Sequence, residues 1–185
     1  MVPDILFVCT GNICRSPAAE RLLMSRATVP LRATSAGTAS VVGAPIHPSM
    51  STLLKARGVQ TSGFQARQLT GGMLSAAGLV LTMTLEQRAW VASTVPGAAK
   101  RTFTLLEFID LGTQARTRAN DDQTPAEPNA IVAWAGAHRG PAAATRGNLS
   151  VEIADPYGRD SAAYLAAFSQ IDSAIEALTR LMDPG

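Results

Sequence analysis

The sequence predicts an α/β protein built on a parallel sheet covered by helices on both faces. Short apolar runs at residues 5–8 and 79–83 alternate with stretches of helical periodicity, and the run at 79–83 is continuously apolar, as expected of a strand buried on both sides. Strands alternating with helices imply right-handed crossovers, and ligands then bind at the carboxyl ends of the strands.

Taken in order, Ile5-Leu6-Phe7-Val8 reads as a buried first strand. A sharp loop leads to a helix at 17–25, with Ser16 at the N-cap, Pro17 at the first helical position, and Ala18, Ala19, Leu22 and Leu23 on one face. Residues 31–35 suggest a second strand, running into the turn Ser35-Ala36-Gly37-Thr38 that lies beside the first loop if the two strands are parallel neighbours. A helix at 48–57 stops at Gly58, and Thr84 caps another through Ser93. A short fourth strand is expected at 101–105 and a short helix at 105–111. The last helix is marked by Tyr164, Phe168, Ile171, Ile175, Leu178 and Leu181 at steps of four and three.

The chain of 185 residues fits a single domain, 1–185, with one long insert at about 112–150. Inside it Asn129 is expected to cap a helix at 130–138 that turns Ile131, Val132 and Trp134 inward, with 113–128 and 140–148 exposed and mobile. A net charge of +2 with scattered arginines gives no basis for nucleic-acid binding. No apolar run of 18 residues and no signal-type N-terminus occur, so the expectation is a cytoplasmic protein without membrane insertion. Cys9 and Cys14 are the only cysteines, and with two histidines, His47 and His138, there is no zinc pattern. No metal or cofactor is expected, and both histidines read as ordinary surface or turn residues.

The chemistry concentrates in Cys9-Thr10-Gly11-Asn12-Ile13-Cys14-Arg15-Ser16. Gly11 permits a tight turn, so that the amides of residues 10 to 15 point inward, and the following helix adds positive potential at the same place. Phosphate or sulfate would sit in such a cradle. Arg15 offers a planar fork for two phosphate oxygens. A helix N-terminus and a cation beside Cys9 favour the thiolate, the nucleophilic form. A lone cysteine after a strand is more often a small buried residue; the succession of Cys, five residues, Arg and Ser between strand and helix argues for the reactive one.

If Cys9 attacks phosphorus, an aryl leaving group of pKa about 10 needs a positioned acid. Asp155 in Asp155-Pro156-Tyr157-Gly158 is the candidate, held in an extended approach by Pro156, with Tyr157 as a cleft wall for a flat ring.

These pieces resemble the low-molecular-weight protein-tyrosine phosphatases of bacteria. That family has the Cys-x5-Arg-Ser loop directly after its first strand and a distant Asp-Pro-Tyr before its last helix. The resemblance takes in most of residues 4–109 and 151–181. It implies a three-layer α/β/α fold around a four-stranded parallel sheet. It also implies Cys9 as nucleophile, Arg15 as phosphate clamp, Asp155 as general acid and then base, Ser16 as support for the Cys9 thiolate, and Asn12 holding the loop with Ser35 as partner. Thr10, Gly11, Ile13 and Cys14 complete the substrate loop.

The resemblance further implies a tyrosine-phosphorylated protein as partner, and the aliphatic Val41-Val42 is similar to phosphatases paired with bacterial tyrosine kinases of polysaccharide export. In the family Cys14 can pair with the nucleophile in a reversible disulfide. Phe64 stands where the family usually has a histidine contacting the loop asparagine, so Asn12 is expected to lose a partner. Alternatives on the same loop are an arsenate reductase, disfavoured by the lack of cysteines after Cys14; a protein-arginine phosphatase, whose relatives carry Thr where Ile13 stands; and an idle phosphopeptide-binding module.

Overall fold

The computed structural model describes residues 2–121, 127–140 and 150–183. Four strands, β1 (Ile5–Cys9), β2 (Ala33–Gly37), β3 (Leu79–Thr82) and β4 (Thr102–Thr104), form one parallel sheet in the order β2-β1-β3-β4. Every residue of β1 and β3 is buried, which is why their sequences are continuously apolar or nearly so. The chain leaves β1 toward one edge and returns through β3 toward the other. A crevice therefore opens at the carboxyl end of β1, where Cys9 stands opposite Gly37 in register.

Helices cover both faces, giving three layers. On one face α1 (Arg15–Arg26), α2 (Pro48–Ala56), α5 (Leu105–Asp121), α6 (Pro128–His138) and α7 (Ser161–Met182) pack over Ile5, Phe7, Leu79, Leu81 and Phe103. On the other, α3 (Gly71–Ala76), α4 (Leu85–Thr94) and a 3₁₀ turn at Pro96–Arg101 cover Leu6, Val8 and Val80. The six periodic positions of α7 are all buried, and the helix is tied to α1 through the Arg26 ion pair with Asp172. Gly58 ends the α2 segment with φ +74, and Thr84 caps α4 in a reciprocal capping box with Gln87.

Several expectations change. The α3 helix and the 3₁₀ turn carry no periodic signal and are absent from the sequence reading, and β2 begins at Ala33 rather than 31. Helix α5 is 17 residues long and continues through what reads as the start of a loop. Gly112 makes that stretch look like a break, yet it is a packing requirement: a Cβ there would lie 2.7 Å from Leu181 Cδ1 and 3.4 Å from Ile131 Cγ2. Asn129 does not cap α6, which starts two residues earlier than expected, with Pro128 at the first position and Glu127 before it. Ile131, Val132 and Ala135 face the body, and Gly136 lets α6 press on the Lys100 carbonyl, which would be 2.3 Å from a Cβ. Much of the insert is thus packed against the sheet layers. Of the segments expected to be mobile, 122–126 and 141–148 lie outside the described residues.

Candidate active site

The loop from Thr10 to Cys14 is shaped by the chain beside it. The carbonyls of Cys9, Thr10, Gly11 and Ile13 accept hydrogen bonds from the N–H groups of Thr38, Ala39, Val41 and His47, at 2.9, 3.0, 3.0 and 2.8 Å. In a planar trans peptide the C=O and the next N–H point in opposite directions. With those four carbonyls turned toward residues 38–47, the following amides face the other way, into the crevice. Among the described residues the N–H of Asn12 meets Cys9 Sγ at 3.3 Å, while those of Gly11, Ile13 and Cys14 donate to no protein atom. The cradle is real, but Gly11 is not its hinge. The left-handed residue is Asn12, at φ 55, while Gly11 has no positive φ.

Ser16 is likewise displaced from its expected place. Helix α1 starts at Arg15 with Cys14 before it, so Ser16 is its second residue and caps nothing. Its hydroxyl faces Cys9 Sγ at 2.9 Å. The direction of that bond follows from Asn12. The Arg67 N–H can only donate, and it meets Asn12 Oδ1 at 2.8 Å, which fixes the amide orientation. Asn12 Nδ2 then donates to both Ser16 Oγ and Ser35 Oγ, each at 2.9 Å. Ser35 passes its hydrogen to Glu20 Oε2 at 2.6 Å. Ser16, already accepting from Asn12, has its hydrogen left for the Cys9 sulfur. Asn12 is fully buried and uses both amide hydrogens and its oxygen, so Phe64 costs it no partner. Phe64 packs in the core under the Arg21 guanidinium instead.

Arg15 is 2% exposed and reaches across to the segment before α7. Its Nη1 donates to the Ile153 carbonyl at 3.1 Å, and Nη2 pairs with Asp155 Oδ2. Nε is buried and has no protein partner. Nε and Nη2 form the side-on edge of the guanidinium, the edge that grips two oxygens at once. Asp155 is nearly half exposed, and its Oδ1 accepts the Tyr157 N–H at 3.1 Å. Cys9, Thr10, Gly11, Ile13, Cys14, Arg15, Asp155 and Tyr157 line one pocket, closed on its apolar side by Ala39 and Val41.

Family identity is decided by comparison with known proteins. Residues 4–125 match the family model for low molecular weight phosphotyrosine protein phosphatase. The chain belongs to that family. This phosphatase is 33% identical over 139 residues to the probable low molecular weight protein-tyrosine-phosphatase EpsP of Ralstonia solanacearum, covering 72% of this chain and 94% of the other. In fold it is similar to the YwlE arginine phosphatase from Geobacillus stearothermophilus, with a TM-score of 0.71, 26% identity, and 96% and 91% of the two chains covered. It also shares the fold of the tyrosine phosphatase Wzb from Escherichia coli K30 in complex with sulphate, with a TM-score of 0.72, 21% identity, and 99% and 100% covered. The phosphatase is a hydrolase, as its relatives are. The family match ends before Asp155, so that residue's place rests on the geometry above.

Three features of the phosphatase's site escape sequence reading. Glu20 and the Arg67 backbone amide complete the Asn12 network without any local signal. Gln87 Nε2 donates to Thr10 Oγ1 at 3.1 Å; its signal was the Thr84-x-x-Gln87 spacing of a capping box. His47 is no bystander: its Nδ1 accepts from Ser49 N, its Nε2 lies 3.3 Å from Tyr164 Oη, and its ring stacks on Tyr164 at 5.0 Å. Cys14 sits under this pair, its Sγ 4.0 Å from Tyr164 Oη, and burial pushes its thiol up to about 12.

Proposed function

We propose that this phosphatase hydrolyses phosphotyrosine in proteins through a phosphocysteine on Cys9. The observation that carries the reading is the directed chain from Arg67 N–H through Asn12 to the Ser16 hydroxyl, which delivers a hydrogen to Cys9 Sγ in the pocket that Arg15 and Asp155 share. The Ser16 hydroxyl and the Asn12 N–H thus both point hydrogens at the attacking sulfur.

In the first step the Cys9 sulfur attacks phosphorus in line; the S–P bond forms, the P–O bond to the aryl group breaks, and Asp155 gives its proton to the leaving oxygen. The free loop amides and the Nε/Nη2 edge of Arg15 take up the charge on the equatorial oxygens, while Nη1 stays on the Ile153 carbonyl. In the second step water attacks phosphorus and gives its proton to Asp155. The S–P bond breaks, and phosphate and the Cys9 thiolate are released. Ile13, Ala39, Val41 and Tyr157 offer an apolar mouth for a phenyl ring. The partner in this reading is a tyrosine-phosphorylated bacterial protein of the cytoplasm, with a tyrosine kinase of polysaccharide export as a candidate. Among the described residues no helix is long and apolar enough to cross a membrane.

The test is turnover of phosphotyrosine, phosphoserine and phosphoarginine peptides by the parent, Cys9→Ser and Asp155→Asn. The expected result is preference for phosphotyrosine, abolished turnover in Cys9→Ser, and a loss of roughly 10²- to 10⁴-fold in Asp155→Asn, the range of general acid catalysis. Preference for phosphoarginine would move the chain to the activity named for the YwlE relative, and full activity of Cys9→Ser would overturn the mechanism.

A further inference from the structure

The turn between β3 and α4 touches both halves of the site. On one side Gln87 Oε1 accepts from the N–H groups of Met83 and Thr84 at 2.9 and 3.1 Å while its Nε2 holds Thr10, the residue after the nucleophile. On the other side the same turn holds the segment leading to Asp155. Ile153 N–H donates to the Met83 carbonyl at 2.9 Å, and Glu152 Oε1 accepts the Leu85 N–H at 2.7 Å. Leu85 is the first residue of α4, so that amide has no partner within its own helix.

We infer that Glu152 is a positioning residue for Asp155. The inference rests on the reading of Asp155 as general acid. Asp155 is nearly half exposed, and among the described residues its carboxylate meets Arg15 and the Tyr157 amide. Once the Nε/Nη2 edge of Arg15 holds a phosphoryl group, the Arg15 contact to Asp155 is given up. What then keeps Asp155 over the leaving oxygen is the attachment of its own segment, through the buried Ile153 side chain and three hydrogen-bonded attachments: Glu152 to Leu85, Ile153 to Met83, and the Ile153 carbonyl to Arg15 Nη1. Glu152 is the one side chain among these three attachments that belongs to the acid segment. It acts as an acceptor, and its charge is not required.

The distinguishing property of a displaced acid is that it matters more as the leaving group becomes more basic. In Glu152→Ala, the single-turnover rate of phosphocysteine formation is expected to fall about tenfold with a phenol leaving group near pKa 10 and to stay within about twofold with a strongly acidic nitrophenol, because proton donation is needed only in the first case. The ester concentration giving half of the maximal single-turnover rate should be unchanged for both esters. Glu152→Gln keeps the acceptor oxygen and should behave as the parent.

A second variant reaches the same bond from the other end. Leu85→Pro removes the donor at a helix position that tolerates proline, after a Thr84 already extended at φ −136 and ψ 160, and should reproduce the Glu152→Ala profile. Asp155→Asn is the reference. If it lacks the leaving-group dependence, the general-acid reading fails, and the role of Glu152 with it. If Asp155→Asn shows the dependence while Glu152→Ala and Leu85→Pro lose activity equally on both esters or on neither, the role of Glu152 alone is wrong. Glu152→Gln as impaired as Glu152→Ala would also overturn it, since that outcome assigns the effect to charge.

Discussion

Gly37→Ala is expected to damage stability and turnover together. Gly37 ends β2 beside Cys9, and a Cβ there would lie 2.4 Å from the Thr10 carbonyl oxygen and 3.1 Å from both N and Cβ of Asn12. An ordinary close C···O approach is about 3.3–3.6 Å, so β2 and the loop would have to part by roughly 1 Å. Backbone bonds on both sides resist: Gly37 N to Arg67 O and Leu69 N to Gly37 O, each 2.9 Å, and Thr38 N to Cys9 O at 2.9 Å. Overpacking of this kind costs about 1–3 kcal/mol. At about 2–4 °C per kcal/mol for a domain of this size, the melting temperature should fall by roughly 2–12 °C.

Because the atoms that must yield flank the nucleophile, a shift of about 1 Å should also lower kcat on the order of a hundredfold. Gly11→Ala is the control for stability: its Cβ would come no nearer than 3.5 Å, to Ile13 Cγ1, with no left-handed φ to strain. Its melting temperature should stay within about 2 °C of the parent, given surface changes of under about 0.5 kcal/mol. Thermal melts and aryl phosphate turnover measured side by side decide it. A Gly37→Ala protein that melts and turns over as the parent does, or a Gly11→Ala protein that is the less stable of the two, would refute the assignment of the close approach to Gly37.

Two further outcomes follow from the buried polar groups. Ser16→Ala removes the hydroxyl that faces Cys9 Sγ; at about 1.5–3 kcal/mol for a hydrogen bond to a charged partner, kcat should drop roughly ten- to hundredfold with little change in KM, and single-turnover phosphocysteine formation is the step to follow. Cys14 and Tyr164 are both held neutral by burial, from 9.0 and 10.0 up to about 12. Their contribution to stability is complete below pH 9 and is lost as pH rises toward 12, because the unfolded chain ionises these groups first. Urea midpoints measured from pH 8 to 11 should therefore fall, and Cys14→Ala should flatten the decline; a parent protein with constant midpoints would contradict it.

The parts of the fold that were legible in the sequence are those whose cause is local. The α7 stripe, the buried β1, the Gly58 stop and the Thr84 cap each follow from residues within one or two turns of one another. At the site, Cys9, Arg15 and Asp155 are legible as a motif and its distant Asp-Pro; the three line one pocket, and Asn12 Nδ2 donates to Ser35 Oγ. What failed was assigned to the wrong neighbour. Gly11 looks like the hinge because glycine is the usual left-handed residue, yet Asn12 takes that conformation and is held in it by its three side-chain bonds. Ser16 looks like a cap because it precedes Pro17, but the sulfur seven residues back takes its hydroxyl. Gly112 reads as the start of a loop and Gly136 as an ordinary residue of the helix expected at 130–138, although each marks a contact between segments far apart in the chain. The turn at 35–38 is expected beside the loop, but Glu20 and the bonds from residues 39–47 leave no local mark, because they depend on which strands become neighbours.

The bond that orients Asn12 comes from the main chain of Arg67, and this changes what kind of constraint the site places on the gene. Every residue except proline carries that N–H. The side chain at 64 is therefore free to vary as far as Asn12 is concerned, provided that the path of the chain past the loop is kept. That path is fixed by Gly37 N to Arg67 O and Gly43 N to Ala66 O, bonds between backbones, and by Arg67 Nη2, which donates to the Ser35 carbonyl at 3.0 Å. The polarity of the whole relay, down to the hydrogen offered to the nucleophile, is thus inherited from a route through space rather than from a signature residue. Phe64 can therefore stand in that segment and leave the three hydrogen bonds of the Asn12 side chain intact.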